Sequence, residues 1–76
     1  MNHQSDQKTL VYLMDELLMS RIELSELAGV PERTVYRWLS GKHRVPTSLL
    51  NLLHIMIGLE LTPTTVIEAL RHINDQ

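Results

Sequence analysis

An all-α fold of five short helices is what this sequence predicts, and three observations predict it. Apolar residues recur at the three- and four-residue spacing of helix faces. Serine, threonine, glycine and proline stand where short helices would start and stop. The chain of 76 residues has no internal repeat, low-complexity run or linker, so residues 1–76 are expected to form one domain. With 43% hydrophobic and 21% charged residues it is too apolar for intrinsic disorder.

Residues 1–5 carry no lysine or arginine and are expected to be a flexible tail. The first helix is expected from about Gln7 to Met19. At 100° per residue Leu10, Leu13, Met14, Leu17 and Leu18 share one side, a core face, with Asp15 and Glu16 opposite. Ser20 and Glu23 make a capping box, which starts a second helix at Arg21. Gly29 suits the left-handed conformation that ends a helix near Ala28, and Pro31 opens a third near Glu32. Gly41 stops that third helix in the same way.

The third helix divides by residue type. Arg33, Tyr36, Arg37 and Ser40 share one face, whereas Val35, Trp38 and Leu39 lie on the other, the core side. The fourth helix, about Ser48 to Leu59, spreads its leucines, isoleucines and methionine over roughly 220°, leaving Asn51, His54 and Gly58 as the polar stripe. It therefore either sits at the centre of the monomer or meets a second subunit. Thr62 caps a fifth helix with Pro63 at its first position, ending near His72, and Val66, Ile67, Leu70 and Ile73 give it one apolar face.

Charge is unevenly placed. The net charge is −2. Residues 31–46 alone carry Arg33, Arg37, Lys42 and Arg44 against Glu32, a local +3, while the segments on either side are acidic. A basic stretch of this kind suits a polyanion in spite of the overall sign.

Other classes find little support. With no cysteine there is no disulfide or thiolate metal site, which suits a reducing cytoplasm. The longest apolar run, Leu10 to Met14, is far short of the roughly 20 residues that span a bilayer, and no secretory signal pattern precedes it. His3, His43, His54 and His72 include no i, i+4 pair, so no metal or other cofactor is expected. The pairs Asp15 with Glu16 and Glu23 with Glu26 fall on exposed faces rather than in a cleft, and no Gly-rich loop or sizeable pocket is foreseen. Neither enzymatic activity nor a small-molecule ligand is expected.

The stretch from Arg21 to Gly41, RIELSELAGVPERTVYRWLSG, resembles the lambda-repressor-like, or Cro and xenobiotic-response-element type, helix-turn-helix family. Leu24, Gly29, Val30, Val35, Trp38 and Gly41 match its structural positions, and the tail KHRVP to Pro46 continues the likeness. Ser25 and Ala28 depart from the usual alanine and leucine, and Ala28 leaves core volume to be filled. The resemblance implies a compact five-helix DNA-binding domain with its helix-turn-helix at helices two and three. It also implies a small dimeric transcriptional repressor or autoregulator on an inverted-repeat operator, of the kind common in phages and other mobile elements.

By that resemblance Glu32, Arg33, Tyr36, Arg37 and Ser40 occupy base-reading or groove-lining positions of the recognition helix. Arginine can bond bidentately to guanine, glutamate can accept from cytosine, and a tyrosine ring can touch a thymine methyl. Arg21, Thr34, Lys42, His43 and Arg44 are placed for phosphates. A homodimer is expected to form through Leu59, Val66, Ile67 and Leu70, with the fifth helix folded onto the fourth in one composite patch. The alternative class is a protein-interaction module or antitoxin that works through the apolar fourth and fifth helices, with DNA binding secondary or absent. Concentration of four of the seven basic residues within residues 31–46 favours DNA.

Overall fold

The chain folds into α1 Gln4–Glu16, α2 Arg21–Ala28, α3 Glu32–Leu39, α4 Thr47–Gly58 and α5 Pro63–Asn74, in a computed structural model that describes residues 4–75. Among the described residues there is no strand, and no single helix is long and apolar enough to cross a membrane. The radius of gyration, 12.2 Å, lies close to the roughly 11 Å of a compact chain this long.

The first helix begins and ends about one turn earlier than its apolar stripe suggests. Gln4 and Ser5 belong to α1 rather than to a tail; the rest of the expected tail, residues 1–3, lies outside the described residues. At the other end Leu18 takes a left-handed backbone conformation at φ 52°, and the Met19 amide turns back to the Met14 carbonyl at 2.8 Å. That six-residue closure satisfies a carbonyl that the helix end would leave open. It also swings Met19 into the core and leaves Leu18 88% exposed, so Leu18 is not part of the core face. Ending the helix here frees Ser20 to cap α2: its Oγ accepts the Glu23 amide at 3.1 Å, and Glu23 Oε1 accepts the Ser20 amide at 3.0 Å.

Each of the first two helices packs on two others. α1 lies against α3 and α4, while α2 lies against α3 and α5. Leu10, Leu13, Leu24, Val35, Val45, Leu53 and Met56 are essentially fully buried at the junction, each worth about 1.5 to 3 kcal/mol of removal from water. The chain bends by 119° between α4 and α5, so α5 reaches α2 instead of folding onto α4. The expected composite patch of the last two helices therefore does not form.

That topology reassigns their apolar faces. In α5, Ile67 is only 7% exposed and belongs to the core of the single chain, where it is closed to a partner; Val66 and Leu70 are half-buried against the same core. In α4, Leu49, Leu53 and Met56 are buried, and Leu50, Leu52 and Ile57 pack around them. Most of the surplus apolar surface read from the sequence is thus absorbed internally, and Ile55 and Leu59, the latter 65% exposed, are what α4 and its end leave outside.

Candidate nucleic-acid interface

Two eight-residue helices are joined by Gly29, Val30 and Pro31, and the second of them opens the basic region. Gly29 sits at φ 69°, where only glycine is free of Cβ strain, and the Val30 amide closes α2 onto the Ser25 carbonyl at 3.1 Å. Pro31, at φ −64°, is pre-set as the residue that leads into α3. α2 is held by buried Leu24 and Leu27, and α3 by Val35 and by Trp38, which is 5% exposed.

Anchored on that side, α3 turns Arg33, Tyr36, Arg37 and Ser40 outward, and all four are exposed. Glu32, in the first turn, is exposed beside them, where its charge also complements the helix dipole. All five expected base-reading residues are therefore accessible. Arg21, from the start of α2, lies with its guanidinium 4.6 Å from the centre of the Tyr36 ring, a cation–π contact that ties one expected phosphate residue to one expected base reader. Among the described residues Arg33, Arg37 and Lys42 have no carboxylate within 4.0 Å. Among the described residues their charge is not neutralised.

The loop after α3 is more tightly organised than its polar sequence suggests. The Arg37 carbonyl accepts the amides of Lys42, at 3.0 Å, and His43, at 3.2 Å, and also the Ser40 hydroxyl at 3.1 Å. Those two amides are thus spent on the helix end and do not face outward as anion donors. Lys42 and His43 are exposed and offer their side chains instead. Thr34 is only half-exposed, and Arg44 leans on Asp6 of α1 at 3.7 Å, so of the expected phosphate residues these two are the more restrained.

Three residues of this region were not singled out from the sequence. Val45 is 1% exposed and pins the basic loop to the core; a lone valine among Lys42, His43, Arg44 and Pro46 was the available signal. Gln7 of α1 donates from Nε2 to the Leu39 carbonyl, and its Oε1 would stand 3.3 Å from any Cβ at Gly41. Asp6, the residue before Gln7 in the same helix, pairs with Arg44 at 3.7 Å. Neither Gln7 nor Asp6 has a sequence signature, because both act across the fold. Compared with known proteins, the chain matches no family model, no curated protein and no solved structure.

Proposed function

We propose that this protein binds double-stranded DNA in a sequence-specific way, laying α3 in the major groove as a recognition helix, and that it serves as a small dimeric repressor or autoregulator of the lambda-repressor-like type. The observation that carries this reading is the outward face of α3. Two arginines, a tyrosine and a serine project from a helix fixed in place by Val35 and Trp38, and among the described residues neither arginine has a carboxylate partner. Arg33 and Arg37 read base edges, most readily guanine; Glu32, Tyr36 and Ser40 line the groove. Arg21, Lys42 and His43 hold phosphates, with Thr34 and Arg44 at the margin.

Selection of preferred sites from random duplexes, followed by anisotropy titration between about 50 and 200 mM salt, tests the proposal. A dimer making about 6 to 10 phosphate contacts should show a log-log slope near −5 to −9, and a flat response overturns DNA binding. Arg33→Ala or Arg37→Ala should cost about 1 to 3 kcal/mol on the selected site and relax one base pair. Lys42→Ala should weaken selected and random DNA alike. Arg37→Ala is a clean probe, since the carbonyl that closes α3 belongs to the backbone and stays.

For the dimer, Leu59 is the best remaining contact, with the half-buried Val66 and Leu70 of α5 offering less. Leu59→Asp, at a residue already in water, should lower operator affinity by dissociating the dimer without unfolding the chain. Sedimentation that finds a monomer both free and on DNA overturns the dimer.

A further inference from the structure

A second surface lies at the opposite charge extreme. A groove of about 440 Å³ opens where the end of α1 and the start of α2 meet the turn between α4 and α5. Leu17, Leu18 and Leu61 line it with apolar surface, and Glu16, Glu23 and Glu60 bring three carboxylates to it. No lysine, arginine or histidine lines it, and among the described residues none of the three carboxylates has a basic side chain within 4.0 Å. Leu18 in this groove is also the most exposed of the large apolar side chains outside the core.

We infer that this groove docks a basic amphipathic segment of a partner protein, its aliphatic side chains on the leucines and its lysines or arginines on Glu16, Glu23 and Glu60. Charge complementarity selects the occupant. Nucleic acid is repelled by the carboxylates, and an acidic or purely apolar segment would leave Glu16 and Glu60 without partners on contact. The basic face of a second copy is a poor fit, because Arg33, Tyr36, Arg37 and Ser40 offer charge but no aliphatic side chain for the leucines. A helix or extended strand carrying both leucine-like and lysine-like residues satisfies both parts of the surface. The inference goes beyond DNA binding and does not depend on it.

The test uses the full chain and a fluorescein-labelled synthetic helix of about four turns built from leucine and lysine, beside a twin with glutamate in place of every lysine. The leucine–lysine peptide should bind saturably, and the glutamate twin at least about tenfold more weakly. The double substitution Glu16→Lys with Glu60→Lys should cost about tenfold or more, and Leu18→Gly several-fold, with unchanged amide spectra away from the groove. Glu23 is left intact because it caps α2. Amide shifts on titration should concentrate on residues 16–18 and 60–64. The inference is overturned by absence of saturation, by equal affinity for the two peptides, by shifts centred elsewhere, or by indifference to the charge reversal. Groove amides that move with protein concentration alone would assign the surface to a second copy and overturn it as well.

Discussion

Four helices in this protein close with the same hydrogen bond but not with the same residue. Behind α2 and α3 the left-handed position is Gly29 and Gly41, and the closing amides of Val30 and Lys42 reach Ser25 and Arg37 at 3.1 and 3.0 Å. Behind α1 and α4 the position is Leu18 and Glu60, at φ 52° and 57°, with Met19 and Leu61 reaching Met14 and Met56 at 2.8 and 2.9 Å. The hydrogen bonds gained are alike, whereas a side chain in the left-handed region costs roughly 1 to 2 kcal/mol that glycine avoids. The basic face thus stands on relaxed turns, and the acidic groove is bordered by the two strained ones. At the first of these the packing gained goes to Met19, which the turn carries into the core, while the Leu18 side chain stays almost wholly in water.

The relaxed half depends most on its anchor. Trp38→Ala should destabilise the fold by about 3 to 5 kcal/mol in chemical denaturation, since it empties the space under α3 beside Leu27 and Leu49. A loss below about 1 kcal/mol would mean that α3 is held by its turns rather than by its core face.

Next come the glycines. Gly29→Ala meets no atom within 4 Å, so its cost is the backbone term alone, about 1 kcal/mol after the gain from a stiffer unfolded chain. Gly41→Ala should cost more, because Gln7 Oε1 at 3.3 Å must also move. If the two substitutions were equal in a thermal melt, the contact of α1 with the end of α3 would carry no weight.

The strained half should respond with the opposite sign. Leu18→Gly removes the left-handed penalty, incurs the roughly 0.5 to 1 kcal/mol entropic cost of glycine, and loses almost no burial, for a net stabilisation of about 0.5 kcal/mol. A chain of this size should then melt a few degrees higher. Destabilisation on this substitution would show that the Leu18 side chain contributes packing and that the two kinds of turn are not equivalent. The same variant should grip the leucine–lysine peptide less well, and a stabler protein that binds more weakly cannot be explained by unfolding.

The same contrast governs what could be read in advance. The limits of α2 and the start of α3 follow from Ser20, Glu23, Gly29 and Pro31, residues whose chemistry is local, and the outward residues of α3 follow from a periodicity of a few positions. Leu17 and Leu18 extend the α1 stripe in sequence, and nothing local announces that a leucine will take a glycine conformation. The burial of Ile67 against α2 is illegible for a different reason. Its helix is amphipathic as expected, but the partner of that face is set by the 119° bend after α4, which sends it to α2. Gln7, Asp6 and Val45 support the basic face through contacts distant in sequence or through burial of one residue in a polar loop, and neither kind has a period to detect.

The smallest effect concerns the ion pair that joins α5 to α2. Arg71 of α5 donates from Nη2 to Glu26 Oε2 of α2 at 2.5 Å, next to the apolar contact of Ile67 with the core. Both side chains are well exposed, at 65% and 39%, so solvent screening and the entropy of holding two long side chains offset most of the attraction. Arg71→Ala should therefore destabilise by no more than about 0.5 kcal/mol, and the difference should shrink further as salt rises. Glu26→Gln should give a similar loss, and the double variant should be no worse than either, as a double-mutant cycle in thermal melts would establish. A coupling well above about 1 kcal/mol would mean that α5 is held to α2 by charge. In that case Ile67, Val66 and Leu70 would no longer suffice to explain its docking, and the apolar face of α5 would again be open to a second subunit.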